Sequence, residues 1–490
     1  MITLLYLVVT LGILILQGIQ HQHRQISLLG VLHSGGTLLI TLALILMPGE
    51  WPAYDPLFRV DHLSLFLMLI TSIVFTCASI YAVGYIDGLV CAGELDRRSL
   101  RIFYLGFSLL LLVTTMALYA PNMAQFWIFA ELTTVFSALL VAILAVRDTI
   151  DASLKYVFVC STSMLFSFIG VIFFFELMRR ATGTGSLDWQ VIRETAPVCD
   201  SGMLGIACIF FFIGFAAKSG IVPLHTWLPE AHAKAPSAVS AVLSGAILNV
   251  GMYGLLRMVG IVNGTSIAGQ TSLLLLVFGM ITMSVACFSM LRQTNLKKLI
   301  AFSSVENMGF LLLGAGIGSP VALFWVLFHM MGHSFVKSGL FFSAGILHRQ
   351  YRTPGGGEDR VGDIFKLQPF AGGALFLGSI AIIGTPLFPI FLSKFGILIE
   401  AGKVSPYIVF ISLLLFAIAT VGLFRFLLTQ IGEQYSEGES PAPYIVPGWM
   451  RAPVIFLLLL SIFAGMLMIP GEEEFLLSAV RDLGVVGGIL

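Results

Sequence analysis

GFAAKSGIVPLHTWLPE, residues 214–230, puts Lys218 in an apolar helix and then interrupts the backbone with Gly220, Pro223 and Pro229. Its surroundings decide what such a segment means. Of the 490 residues, 58% are apolar and 11% charged, against roughly 25% charged in a soluble domain. The apolar residues come in long runs, such as LLYLVVTLGILIL (4–16), LGFSLLLLVTTMALYA (105–120) and VIFLLLLSIFAGMLMI (454–469). A bilayer span needs about 20 mostly apolar residues, and no water in the hydrocarbon rescues an open strand edge. The composition therefore predicts an all-α polytopic membrane protein. The first run lacks both a basic flank and a small-residue cleavage site, so it is read as a retained span.

Other function classes find no support. The six cysteines, Cys77, Cys91, Cys160, Cys199, Cys208 and Cys287, include no C-x-x-C pair, which argues against iron–sulfur clusters, haem attachment or a disulfide framework. Lys plus Arg equal Asp plus Glu, 26 each, a balance that carries no sign of nucleic-acid binding. The glycine run PGGGEDR (354–360) lacks the G-K-[ST] of a phosphate loop and reads as a plain loop. No redox cofactor, nucleotide or metal site is expected in this chain.

Apolar stretches between polar breaks give about fourteen spans, near 3–19, 26–47, 62–86, 101–120, 123–146, 153–178, 202–232, 236–260, 270–291, 297–316, 319–348, 370–400, 405–428 and 452–470. Two are interrupted. The seventh contains the opening stretch; the twelfth, IIGTPLFPIFLSKFGIL (382–398), has Gly384, Pro386 and Pro389 ahead of Lys394. They lie five crossings apart, an odd number that reverses direction, so they are inverted relative to one another. Proline kinks are common in membrane helices, but paired broken helices in inverted halves point to a transporter's ion path.

Charges at bilayer depth are costly and tend to face a wet interior with a functional role. Glu131 sits mid-span in AQFWIFAELTTVFSALL, about ten residues from either end, so it must be neutral or paired with a cation. Lys218 opens the first break, and His225 lies seven residues on, two helical turns and hence the same face. His329, His333 and Lys337, in FHMMGHSFVKSGLFF, step by four residues along one face. Lys394 follows the second break, and Lys297, Lys298 and Glu306 lie along the tenth span.

Each has a plainer reading. Lys297 and Lys298 fit as basic anchors at a span end, and Lys337 could snorkel if it lay near a helix end. His329 and His333 have metal-ligand spacing but no H-E-x-x-H and no third ligand nearby. Together, however, Glu, Lys and His across the middle of two halves form a set that can pass protons. Lys218 and Glu131, two spans apart, are expected to stabilise each other's charge.

These residues also carry a resemblance. AKSGIVPLHTWLPEAHAKAPSAVSAVLSGAILNVGMYGLLR (217–257), LKKLIAFSSVENMGF (296–310), the His/Lys helix and the broken span with Lys394 resemble the antiporter-like membrane subunits. That family is shared by respiratory complex I, Mrp-type cation/proton antiporters and group 4 membrane-bound hydrogenases. The likeness spans roughly residues 60–430, and SSVENMGF is most similar to the F-type membrane component of hydrogenase-4-like complexes.

The resemblance implies fourteen transmembrane helices with two inverted five-helix repeats, each with a broken helix. On that pattern residues 1–100 hold helices 1–3, 101–260 the first repeat, 270–428 the second, and 429–490 a loop and helix 14. It carries proton-transfer roles onto Glu131, Lys218, Lys297, His329, His333, Lys337 and Lys394. It implies a prokaryotic inner-membrane subunit moving protons or Na⁺ in a larger complex, with redox chemistry in [NiFe] hydrogenase-like or quinone-reducing partners. A Na⁺/H⁺ antiporter module without redox chemistry, and the energising subunit of an inorganic-carbon uptake complex, are the alternatives. Two departures stand out. Ser244 and Asn249 occupy the eighth span where many members have a lysine or histidine, so bound water is expected to bridge there. The chain also ends soon after its fourteenth span, so no long lateral helix is expected.

Basic residues are asymmetric. Arg24, Arg97, Arg98, Arg101, Arg147, Lys234, Arg292, Lys297, Lys298, Arg349, Arg352, Arg360, Lys366 and Arg451 fall in odd-numbered loops; Arg59, Arg179, Arg180, Arg193 and Lys403 are the clear ones in even-numbered loops. The positive-inside rule then puts the odd loops in the cytoplasm and both termini outside. Cysteines introduced in the 349–366 loop should resist an impermeant reagent added to intact cells; labelling from outside would reverse the orientation.

Overall fold

The structure, a computed structural model, describes residues 2–47, 58–351, 363–432, 442–466 and 471–485. Every named element among them is helical; the one isolated bridge joins Asn122 and Asp188. The run is α1 Ile2–Ile19, α2 His23–Leu46, α3 His62–Cys91, α4 Arg97–Leu118, α5 Met123–Val141, α6 Arg147–Thr182 and α7 Trp189–Thr195. Next come α8 Ser201–Lys218, α9 Trp227–Lys234, α10 Ser237–Val242, a π-helical turn Leu243–Ile247, α11 Leu248–Val262, α12 Ala268–Met290 and α13 Leu296–Ile317. The remainder are α14 Pro320–Gln350, α15 Ile364–Leu367, α16 Pro369–Ile383, α17 Pro389–Val404, α18 Pro406–Gly432, α19 Gly448–Met466 and α20 Glu472–Asp482.

Eleven helical stretches, counting Ser237–Val262 as one, are long and apolar enough to cross a membrane. The shorter α1, the 31-residue α14 and the interrupted pair α16–α17 supply the other crossings in the expected order. The broken seventh span is the pair α8 and α9. Three short helices fall outside the spans: α7, α15 and α20. Arg352, Arg360 and the stretch 354–360 lie outside the described residues.

Burial ranks the helices. The Ser237–Val262 stretch is 100% buried over its most apolar window, α13 89% and α3 78%, while α18 reaches 28% and α2 33%. The polar-rich α10–α11, α13 and α14 thus form the centre, and apolar side chains such as Phe158, Leu165 and Phe410 cover the rim. With hydrocarbon outside, close backbone packing has to hold helices together. A Cβ on Gly279 would lie 2.8 Å from the Gly309 carbonyl oxygen, and one on Gly170 would lie 2.7 Å from the Phe211 nitrogen. Glycine at these positions lets α12 meet α13 and α6 meet α8.

Helix ends are fixed by short polar side chains that take up free backbone N–H groups. Asp61 caps α3 in a reciprocal box with Ser64, Asn122 caps α5, Asp200 α8, Asn295 α13 and Ser319 α14. A buried ion pair stands at each end of α3. Arg257 of α11 pairs with Asp61, and Arg349 of α14 donates to Glu94 at 2.9 Å and to the Gly88 carbonyl at 2.9 Å.

Candidate functional site

The first break is built from its backbone. α8 stops at Lys218, Gly220 takes φ +71°, and Pro223 has no N–H to give. The carbonyls and amides freed there find other partners: the Trp227 indole donates to the Ala217 carbonyl at 2.9 Å, and Val222 N donates to Thr282 Oγ1 at 3.1 Å. At the far end, Lys297 Nζ donates to the Ala235 carbonyl at 3.0 Å, just past α9, and Lys298 pairs with Glu230 at 3.0 Å. Lys297, in the first turn of α13, therefore ties the end of the broken span to the start of its own helix.

Lys218 is buried and its ammonium donates to Thr134 Oγ1 at 2.9 Å. Glu131, one turn earlier on α5, accepts from Ser161 of α6 at 2.5 Å, while its second oxygen has no partner among the described residues. No Glu131–Lys218 ion pair closer than 4.0 Å occurs among them. Lys218 reaches α5 through the Thr134 hydroxyl, one helical turn from Glu131.

His225 is also displaced from its expected place. Because the helix ends at Lys218, His225 sits in the loop before α9, half-buried, with its ring 6.4 Å from Phe302 and Nδ1 unpartnered among the described residues. It does not share a helical face with Lys218.

In the second break α16 ends at Gly384 (φ +96°) and α17 begins at Pro389. Lys394 Nζ lies 3.2 Å from Glu306 Oε1, 3.4 Å from the Ile383 carbonyl at the broken end, and 4.0 Å from the centre of the Phe416 ring. The network continues without a gap. Glu306 Oε2 accepts from Asn307 Nδ2 at 2.5 Å; Asn307 Oδ1 is 2.9 Å from His329 Nε2; His329 Nδ1 is 2.9 Å from Ser393 Oγ. Asn307 also donates to the Ser303 carbonyl at 2.6 Å, and Lys337 donates to the Ser303 hydroxyl and, at 2.6 Å, to the Ile300 carbonyl.

His329, His333 and Lys337 do share one buried face of α14, and Lys337 lies too deep to snorkel. His333, one turn from each, has neither ring nitrogen hydrogen-bonded among the described residues. The eighth span joins this group directly. Ser244 Oγ is 2.9 Å from Ser304 Oγ, and Asn249 Nδ2 donates to Ser334 at 2.8 Å. On its other side α11 presses on the first break, since a Cβ on Gly251 would lie 3.1 Å from the Lys218 carbonyl carbon. Ser244, at the place expected to be bridged by water, meets the Ser304 hydroxyl.

Reading the sequence left several members of this set out. Asn307 is the hub of the second half yet cannot titrate; its only signal was its place beside Glu306 in SSVENMGF. Thr134, Ser161, Ser303, Ser304 and Ser393 look ordinary in a membrane helix. His232, in the AHAK stretch of α9, is fully buried and stacks on Phe341 at 4.6 Å, with neither nitrogen partnered among the described residues.

Two broken crossings, each with a buried lysine held by polar oxygens (the Thr134 hydroxyl at Lys218, the Glu306 carboxylate and the Ile383 carbonyl at Lys394), are the geometry of an ion-translocating membrane protein. The family model described as "NADH:quinone oxidoreductase/Mrp antiporter, TM" matches residues 120–423, and the chain belongs to this family. A hydrogenase-4 component F homolog from Methylacidiphilum infernorum is 32% identical over 404 residues, covering 81% of this chain and 82% of that protein. The structure of the membrane-bound sulfane sulfur reductase, an archaeal respiratory complex, contains a chain with TM-score 0.84 at 22% identity, covering 98% of this chain and 96% of that one. A chain of the Mrp complex from Dietzia sp. DQ12-45-1b superposes with TM-score 0.83 at 19% identity, covering 99% and 97%. At these identities the structural likeness speaks to fold.

Taking one partner out of a buried ion pair costs about 3–5 kcal/mol, whereas replacing both by apolar groups of similar size is often neutral. Lys394→Met and Glu306→Leu should each lower the thermal unfolding midpoint of the detergent-solubilised protein, and the double variant should recover most of the loss. Additive losses would mean that the two side chains stabilise the fold independently.

Proposed function

We propose that this chain is the proton-translocating, antiporter-like subunit of a membrane-bound complex of the hydrogenase-4 type. In this reading Glu131, Lys218, Lys297, His329, His333, Lys337 and Lys394 are the proton-transfer residues, with His225 at the mouth of the first break. The observation that carries it is the unbroken run from Lys394 through Glu306 and Asn307 to His329, which joins three helices, α17, α13 and α14, in the buried interior. A proton gained or lost by any titratable member changes the electrostatic balance of its neighbours, and hydrogen bonds between them give the proton a route.

The two halves, 101–260 and 270–428, act as inverted repeats joined through Ser244. Each places its lysine beside backbone freed by a break, where an ammonium finds carbonyls and hydroxyls instead of hydrocarbon. Redox subunits, [NiFe] hydrogenase-like or quinone-reducing, would drive the first or last charge movement. The relative from M. infernorum, named for a hydrogenase-4 component, supports that choice of partner. The excess of Lys and Arg in odd loops supports a cytoplasmic position for them, with both termini outside the prokaryotic inner membrane.

Lys218 tests the relay. A relay needs a group that releases its proton, which an ammonium can do and a guanidinium cannot. With assembly of the complex confirmed, Lys218→Met and Lys218→Arg should both cut proton translocation in membrane vesicles by about tenfold or more, equivalent to ~1.4 kcal/mol on the barrier. Near-normal translocation by Lys218→Arg would reduce Lys218 to a fixed counter-charge. Acidification that follows Na⁺ addition in vesicles without electron donor would favour the Na⁺/H⁺ module instead.

A further inference from the structure

The first two helices bury the wrong face for a lipid-covered pair. In the described part of α1 the buried residues are Tyr6, Thr10 and Gln17; on α2, Ser27, Gly30, His33, Ser34, Thr37 and Thr41 are buried while Leu32 and Leu39 are 65% and 69% exposed. Along α2 these positions follow the three- and four-residue steps of one helical face. α4 turns a matching stripe toward them, with Tyr104, Ser108 and Thr115 buried. Three helices thus bring polar side chains together on a seam that lies outside the family-matched residues 120–423.

From His33 toward the α2–α4 ends, Thr37 donates to the His33 carbonyl at 2.9 Å, Thr41 to the Thr37 carbonyl at 2.9 Å, and Tyr6 to Thr115 at 3.1 Å, while the buried Tyr119 hydroxyl has no partner among the described residues. Toward the α1–α2 loop Ser27 donates to the Arg24 carbonyl at 3.0 Å, but several other polar groups stay unpaired. Both amide atoms of Gln17, both ring nitrogens of His33 and the Tyr104 hydroxyl are buried with no hydrogen-bond partner among the described residues. Gly30 lets these groups pack closely: a Cβ there would lie 3.2 Å from the Tyr104 ring and 3.6 Å from Gln17 Nε2. Buried polar atoms without partners are expensive unless water reaches them. The mouth of this stretch carries His21, which meets Arg101 at 3.1 Å, and His23, with Asp87 in electrostatic range of Tyr104.

We propose that His33 is a proton-binding site of the first three-helix unit, filled from the face of the α1–α2 loop past the unpartnered polar atoms of Gln17 and Tyr104. Water beside these atoms delivers a proton to one imidazole nitrogen; only N–H and O–H bonds form and break. No charged side chain pairs with His33 among the described residues, and the seam offers Tyr6, Tyr104 and Tyr119 as its other titratable groups. The site stores a proton at depth, apart from the lysine–histidine axis.

Single cysteines in the full chain, with the six native ones replaced, test it directly. A membrane-impermeant cationic methanethiosulfonate added to the α1–α2 loop side of sealed vesicles should modify Ser27→Cys and His33→Cys about tenfold or more faster than Leu32→Cys or Leu39→Cys. Reaction at 33 no faster than at 32, or only from the opposite face, overturns the proposal. A second readout does not need the cysteine background. His33→Leu in the assembled complex should lower protons moved per electron by about twofold, while His33→Leu with normal stoichiometry shows a filled but idle site and overturns the assigned role.

Discussion

An ammonium in hydrocarbon must have oxygen around it, and most of this structure follows from that requirement. Lys394 meets it with Glu306 at 3.2 Å and the freed Ile383 carbonyl at 3.4 Å. Lys337 meets it with Ser303 and the Ile300 carbonyl, Lys218 with Thr134, and Lys297 with the carbonyl that ends α9. Two of these four use a backbone carbonyl at a helix end, Ile383 at the end of α16 and Ala235 just past α9. The breaks in the seventh and twelfth crossings are therefore part of the solvation of charge, and the small residues that let α12 and α13 touch are what hold the solvating groups in place.

The two halves solve the problem differently. In the second half a carboxylate contacts the lysine directly and an amide carries the connection on to a histidine. In the first half Lys218 donates to Thr134, one turn along α5 from Glu131, and Glu131 is only half-buried and bonds to Ser161 instead. A direct buried pair is the more rigid device, because losing either proton state leaves its partner exposed to the full cost of burial. The middle is joined by the Ser244–Ser304 contact, a hydroxyl pair with no fixed direction.

Much of this was legible in the sequence. The long apolar runs gave the class, the glycine–proline interruptions located both breaks, and the four-residue spacing of His329, His333 and Lys337 placed them on one face. What remained hidden has common physical causes. His225 was put on the Lys218 face because helical spacing was carried across a point where the helix stops. The Lys218–Thr134 hydrogen bond is hidden because a threonine in a membrane helix offers no sequence signal that it will hold an ammonium. Asn307 and the serines escape notice because neutral polar residues carry no obvious cost, and the seam of α1, α2 and α4 because Gln17 and His33 are single polar residues inside apolar runs.

Asn307 gives the most direct test, since it joins Glu306 to His329 without a titratable proton of its own. Each hydrogen bond to a charged group contributes ~1.5–3 kcal/mol, and Asn307→Leu removes the link while leaving every lysine, histidine and carboxylate in place. In the assembled complex reconstituted in liposomes, internal pH and electron transfer can be followed together. Continued electron transfer with proton translocation reduced about tenfold is the predicted result. Unchanged translocation by an assembled Asn307→Leu complex would contradict the account, because protons would then be crossing without the connected chain.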